Sequence, residues 1–250
     1  MDLTGKVAIV TGGARDIGKQ VTLKLVGAGA SVAFNYFGSV DEARATEAEA
    51  KALGGNVIAL QGDMTRQEDV DSLVSAAQSA FGGAIDILVN VAGGLIARKT
   101  LAEMDVDFFK TVVDLNLTST FLTTQACVPH MGPGSAIVNL ASQAGRDGGG
   151  PGASAYACSK GAVMTFTRAM AKELGPQNIR VNSLCPGMIS TTFHDTFSKD
   201  EVRKNVAGAT PLRREGHPAE IADTVLYLAS DASSFITGVN IDTNGGLFFS

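Results

Sequence analysis

The feature that most limits what this chain can become is a short, wholly apolar run, Val7-Ala8-Ile9-Val10, which stops at Thr11-Gly12-Gly13 and gives way to a helical pattern over 17–27. A strand with no polar face must be covered on both sides. The same unit recurs, with strand patterns over 31–36, 57–61 and 85–89 alternating with helical patterns over 41–53 and 67–81. A second group follows: one or two helical segments over 101–129, a strand over 136–140, a helix over 153–174 and a strand over 179–183. The chain closes with a helix over 218–229 and a short strand over 238–242. Apolar strands bounded by helices predict a doubly wound α/β domain in which helices cover both faces of a parallel sheet. Such a sheet binds ligands at the carboxyl ends of its strands. The 250 residues suit one domain, 1–250, with segments 144–153 and 187–217 as the candidate substrate-lining elements.

Composition removes several function classes. Twenty basic against 25 acidic residues give a net charge of −5 with the signs mixed along the chain, so nucleic acid is a poor partner, while a locally held anionic cofactor is allowed. Cys127, Cys158 and Cys185 are an odd number with no CxxC pair, and His130, His194 and His217 are scattered; neither a disulfide scaffold nor a metal site is expected. The N-terminus lacks a signal-peptide pattern and no apolar run approaches the roughly 20 residues of a membrane span. The expectation is a cytoplasmic protein with no membrane partner.

Thr11-Gly12-Gly13-Ala14-Arg15-Asp16-Ile17-Gly18 lies between the first strand and the first helix, where glycines let backbone N–H groups and a helix N-terminus approach a pyrophosphate. It is neither GxGxxG nor a P-loop, since no Gly-Lys-Ser/Thr follows. The second strand ends Phe34-Asn35-Tyr36-Phe37-Gly38-Ser39, without the acid that would accept both ribose hydroxyls of NAD. Nothing there repels a 2′-phosphate, and Arg15 is a candidate donor to it, so NADP(H) is favoured with NAD(H) as the alternative.

Ser142 follows the strand over 136–140, and Tyr156 and Lys160 are spaced i,i+4 on one helix face. A phenol is a poor acid near neutrality unless a cation favours its phenolate, which a lysine one turn away can do. Hydride addition to a carbonyl leaves an alkoxide that needs a proton. Tyr156 is therefore the candidate acid, Ser142 the hydroxyl that orients the carbonyl, and Lys160 the electrostatic and ribose-binding partner.

With these residues in order, the sequence resembles the classical short-chain dehydrogenase/reductase family over essentially 5–246, in the branch of 3-oxoacyl-acyl-carrier-protein reductases and related sugar and polyol dehydrogenases. The matching elements are the Thr11–Gly18 loop, Gly62-Asp63-Met64-Thr65, Asn90-Val91-Ala92-Gly93, Asn116, Ser142, Tyr156, Lys160 and Pro186-Gly187-Met188-Ile189-Ser190-Thr191. The resemblance implies a Rossmann-type three-layer sandwich with a seven-stranded parallel sheet and a site completed by Asn116, which would hold a relay water with Lys160. It implies a cofactor held by Gly12, Arg15, Ile17 and Gly18 at the phosphates and by Asn35, Tyr36 and Ser39 at the second strand. By the same resemblance Asp63 and Met64 lie at the adenine, Asn90, Ala92 and Gly93 along the ribose, and Pro186, Gly187, Ile189 and Thr191 at the nicotinamide side, with Tyr156 and Lys160. A homotetramer is implied as well, with helices around 101–129 and 153–174 at one interface and the C-terminal strand at another.

Two departures stand out. Asp16 occupies a position where the family has glycine, and its carboxylate is expected to point outward or to pair with Arg15 or Lys19. The glycine-rich stretch 148–152 lengthens the Ser142–Tyr156 spacing by one residue, which implies a modified substrate rim. Arg98, Arg146, His194 and Arg214 are candidates to receive a substrate carboxylate or phosphate, Arg146 and His194 lying nearest the site in sequence. Lys99, Lys110, Arg168 and Lys172 are candidates for a basic patch that would receive an acyl carrier protein, and Phe248 and Phe249 for a subunit contact.

These readings converge on an NADPH-dependent carbonyl reductase acting on a 3-oxoacyl thioester or a small keto compound. The alternatives are a sugar, sugar-acid or polyol dehydrogenase, and a non-catalytic nucleotide-binding regulatory protein.

Overall fold

Alternate residues of the apolar strands pack against different helices. In the computed structural model, which describes residues 1–249, Ala8 and Val10 join one hydrophobic cluster while Ile9 between them joins another. Strand pleating sends successive side chains to opposite faces, and here both faces are covered. The strands are β1 (Val7–Thr11), β2 (Ser31–Tyr36), β3 (Val57–Gln61), β4 (Ile87–Asn90), β5 (Ala136–Leu140), β6 (Arg180–Pro186) and β7 (Asn240–Thr243). All pair in parallel in the order β3-β2-β1-β4-β5-β6-β7. This is the expected seven-stranded Rossmann-type sheet. The order reverses between β1 and β4, which opens a crevice at their carboxyl ends.

Helices α1 (Asp16–Gly27), α2 (Val40–Ala52) and, from the chain's far end, Pro218–Ala229 cover one face; α3 (Gln67–Phe81) and helices from the middle of the chain cover the other. Phe34 of β2 is wholly buried under the first layer, and burying a side chain of that size stabilises by about 1.5–3 kcal/mol.

The expected helical stretch over 101–129 is two helices, α4 (Val106–Val113) and α5 (Ser119–Cys127), joined by a π-helical turn over Asp114–Thr118. The N-terminus of α4 is capped by Asp105, whose side chain accepts the Phe108 N–H at 2.7 Å. After β5 come a single turn, α6 (Ala144–Asp147), and the long α7 (Ser154–Leu174). The segment 187–217, which shows no clear periodicity, contains two helices, α8 (Thr192–Phe197) and α9 (Asp200–Ala209), before α10 (Pro218–Ala229). No helix among the described residues is long and apolar enough to cross a membrane.

Candidate active site

At the end of β1, Gly12 takes φ +65°, a left-handed conformation in which a side chain would be strained. Its N–H donates to Asn35 Oδ1 at 2.9 Å, the Gly13 N–H donates to the Asn35 carbonyl at 2.9 Å, and Asn35 Nδ2 donates to the Gly62 carbonyl at 2.7 Å. Asn35 therefore braces the turn from β2 and ties the ends of three strands together. A Cβ on Gly18 would collide with the Gly12 carbonyl, so the turn can fold onto the first turn of α1 only with glycine there. Thr11 Oγ1 accepts the N–H groups of Val91 and Ala92, each at 3.1 Å, and so joins the ends of β1 and β4.

The cleft above these strand ends has a volume of about 1240 Å³ and runs from the glycine turn to α9. Every residue predicted to hold the cofactor lines it except Asn90. Asn90 is a correction: its Nδ2 donates to Asn139 Oδ1 at 2.9 Å and its Oδ1 accepts from Thr123, so the side chain belongs to a buried polar network under the floor. The remaining set fits an extended dinucleotide. Gln143 Oε1, which the sequence reading did not single out, is buried beside Gly187 without a hydrogen-bond partner among the described residues, an acceptor that a bound group could satisfy. Among those residues no group of three His, Cys, Asp or Glu is arranged to hold a metal ion.

Strand β5 and helix α7 bring Ser142, Tyr156 and Lys160 to the middle of this cleft. The Ala144 N–H donates to Ser142 Oγ at 3.1 Å, which fixes the hydroxyl at the strand end. Lys160 is buried, its Nζ donating to the Leu140 carbonyl at 2.6 Å and lying 5.8 Å from the centre of the Tyr156 ring. A Cβ on Gly93 would sit 2.6 Å from Asn116 Oδ1 and 3.0 Å from Lys160 Nζ, so that glycine leaves the two groups room to flank it. Asn116, in the π-helical turn, is fully buried and does not line the cleft. Its Oδ1 accepts the Gly94 N–H at 3.0 Å and its Nδ2 donates to the Gly94 and Val112 carbonyls at 2.9 and 2.8 Å.

The electrostatics differ from the expectation that Lys160 draws Tyr156 toward its phenolate. Burial pushes the Tyr156 phenol up from its ordinary value, and the influence that opposes this is a hydrogen bond with Ser142. Lys160 is itself pulled down to about 8 by burial. In this state Tyr156 is held as a proton-bearing phenol, and the lysine is the more easily titrated of the pair.

The opposite wall of the cleft is the lid formed by α8 and α9. Phe193 packs on Tyr156 with ring centres 5.8 Å apart and meets His194 and Phe197 edge-on at 5.0 and 5.1 Å. Arg98 staples the lid to the glycine-rich rim, its Nε donating to the Phe197 carbonyl at 3.0 Å and its Nη1 to the Pro151 carbonyl at 2.9 Å. The Lys99 N–H also donates to the Gly152 carbonyl, so the rim over 148–152 is pinned.

Of the two nearest candidates for a substrate anion, the structure places one away from the cleft and one on its wall. Arg146 does not line the cleft; it pairs with Asp242 at 3.1 Å and donates to the Asn240 carbonyl at 2.6 Å, anchoring α6 to β7. His194 does line the cleft, but burial, reinforced by nearby Arg203, lowers it to about 4, so the ring is neutral at pH 7. Arg214 pairs with Glu220 at 2.6 Å. Asp16 pairs with Arg15 at 2.7 Å, while Lys19 turns to Glu49.

With this geometry in view, the similarities to known proteins are informative. Residues 12–248 match the family model described as enoyl-(acyl carrier protein) reductase. The chain is 38% identical to a 3-oxoacyl-[acyl-carrier-protein] reductase of Synechocystis over 98% of each chain. Among solved structures it is similar to a short-chain dehydrogenase/reductase from Serratia marcescens, with 34% identity, TM-score 0.93 and 99% of each chain covered. It is also similar to a blue fluorescent protein from a metagenomic library in complex with NADPH, with 31% identity, TM-score 0.93 and 100% of each chain covered.

Proposed function

Because this chain belongs to the classical short-chain dehydrogenase/reductase family and is an NAD(P)(H)-dependent oxidoreductase of that type, we propose that it is an NADPH-preferring reductase of ketones. The observation that carries this reading is the convergence of Ser142, Tyr156 and Lys160 on the cleft that the glycine turn opens. When bound, the reduced dinucleotide supplies the hydride. The chain's own residues handle the oxygen: Ser142 donates to the carbonyl and polarises it, and Tyr156 gives its proton as negative charge develops there. The raised phenol keeps that proton until the alkoxide forms. Lys160, near 8, then passes its proton to Tyr156 and takes one back from solvent, and in its recharged form holds the ribose hydroxyls. Asn116 acts at one remove, fixing Gly94 and the end of the Gly93 turn against Lys160.

NADP(H) is favoured over NAD(H) because β2 ends without a carboxylate and Arg15 stands at the rim, although Arg15 is shared with Asp16. The substrate is an uncharged keto compound or a 3-oxoacyl thioester, received between Phe193 and the apolar residues Leu95, Val202, Val206 and Leu247 that line the same cleft. The engagement of Arg146 with Asp242 and the neutrality of His194 argue against a sugar acid. Exposed Phe109 of α4 and Phe121 of α5 support subunit association, and a homotetramer is the proposed state.

The test is a panel read at 340 nm, pairing NADPH and NADH with acetoacetyl thioesters, diketones, keto sugars and keto sugar acids. Turnover of thioesters or neutral ketones with NADPH is expected. Turnover confined to keto sugar acids, or equal use of NADH, would overturn the corresponding part of the reading.

A further inference from the structure

Asp16 is the residue in the phosphate turn that is hardest to account for locally. It takes φ +51°, and for a residue with a side chain the left-handed region costs roughly 1–2 kcal/mol, less for aspartate than for most. Glycine would fit this position without strain. A strained backbone at a ligand cleft is a reason to ask what the side chain does.

Its side chain reaches across the mouth of the cleft. Oδ1 accepts the Thr192 N–H at 3.1 Å, and Oδ2 accepts both the Thr192 hydroxyl and, at 2.7 Å, Arg15 Nη1. Arg15 also donates to the Thr192 hydroxyl. Thr192 is the first residue of α8, and the helix's own N-cap, Thr191, makes no side-chain cap bond. Asp16 thus caps, from 176 positions away in sequence, the helix whose next residue, Phe193, lies on Tyr156. The same carboxylate occupies the guanidinium that faces the cleft.

We propose that Asp16 is a positioning residue that latches the lid, through Thr192, to the phosphate turn and sets how much of Arg15 is left for a cofactor 2′-phosphate. One carboxylate thereby serves two ends, closure of the substrate wall and discrimination between NADPH and NADH. The latch itself concerns only protein atoms, whereas the discrimination rests on the cofactor reading above. When Arg15 turns to a 2′-phosphate, Asp16 keeps Thr192 and the lid stays shut. When the cofactor lacks that phosphate, Arg15 stays in the latch.

Two substitutions separate the functions. Asp16→Gly removes the acceptor and the charge and relieves the backbone, so folding is not at risk; Asp16→Asn tolerates the left-handed conformation, keeps an acceptor for the Thr192 N–H and removes the charge. In the cofactor-free protein, hydrogen exchange of amides over 188–209 should rise about tenfold in Asp16→Gly, rise by less than that in Thr192→Val, which loses the hydroxyl contacts and keeps the backbone N–H, and stay within about twofold of the parent in Asp16→Asn. By fluorescence titration, the preference for NADPH over NADH should rise about fivefold in both Asp16 variants, and this rise should vanish in an Arg15→Ala background. Unchanged exchange over 188–209 in Asp16→Gly would overturn the latch. An unchanged preference, or a rise that survives Arg15→Ala, would overturn the restraint of Arg15 by Asp16. Because exchange is read without any dinucleotide, a chain that bound neither cofactor would still report on the latch.

Discussion

The rear wall of the cleft, from Ser142 to Lys160, is fixed by the sheet and by buried backbone contacts, whereas the front wall, α8 and α9, is held by side-chain contacts. On the rear wall Lys160 is clamped to the last carbonyl of β5, and α6 packs so closely on α7 that a Cβ on Gly145 would stand 2.7 Å from the Gly161 nitrogen. On the front wall the attachments are Asp16 to Thr192, Arg98 to the Phe197 carbonyl, and Arg203 to Glu215 and Asp195. Moving the rear wall would break the sheet. Each attachment of the front wall is a partly solvated polar contact, and such contacts contribute about 1 kcal/mol or less. Chemistry is thus built on the rigid side and access on the side that can open.

The comparison is broken most severely at Tyr156. Tyr156→Phe should lower kcat by about 10²–10⁴ while the NADPH dissociation constant stays close to the parent's, as measured by single-turnover kinetics and fluorescence titration. A near-normal kcat would remove the rear wall from the chemistry. Arg98→Ala should do the reverse, raising KM for the carbonyl about tenfold with a small change in kcat, because it releases both the lid and the rim. If kcat fell and KM held, the two walls would not divide the work as described. Arg15→Ala should raise KM for NADPH several-fold more than for NADH; equal changes would show that Arg15 does not read the 2′-phosphate.

Two smaller effects concern pH. Lys160 is near 8 when folded and 10.5 when not, so between those values the unfolded chain holds a proton that the folded one lacks. Its burial therefore weighs against folding fully below pH 8 and relents as pH rises toward 10.5. Lys160→Met in the cofactor-free protein should raise Tm by a few degrees at pH 7, with the gain shrinking toward pH 10; an equal gain at both would rule out the charge as its cause. His194, also lowered, makes its contribution above 6.5 and loses it as pH falls toward about 4. His194→Asn should flatten the acid side of the Tm profile, and an unaltered profile would place the acid sensitivity elsewhere.

The same division explains what could be read from the sequence. The strands through β5 are legible because largely apolar runs between helical patterns have few other uses, β6 and β7 because they continue the same alternation after a helix, and Tyr156 and Lys160 because a one-turn spacing after a strand-end serine is local. The front wall is not local. Residues 192–197, Thr-Phe-His-Asp-Thr-Phe, carry no helical periodicity long enough to recognise, and what organises them sits at Asp16, Arg98 and Arg203. Arg146 and Asn90 failed as ligand residues for a related reason: their partners, Asp242 and Asn139, lie 96 and 49 positions away, beyond the reach of any spacing rule. The wide turn at Asp114–Thr118 was hidden because it adds to a helix without altering its polarity pattern enough to show.

That turn makes the length of its segment as consequential as its residue types. A π-helical turn closes on i→i+5 bonds and so takes up one residue more than an α-turn while the helix beyond it keeps its phase. Shortening the stretch by one residue would let it close as an ordinary α-turn, with Thr123 and Thr124 still meeting Asn90 beneath the cleft floor. What would be lost is local: the wide turn that carries Asn116 to Gly94.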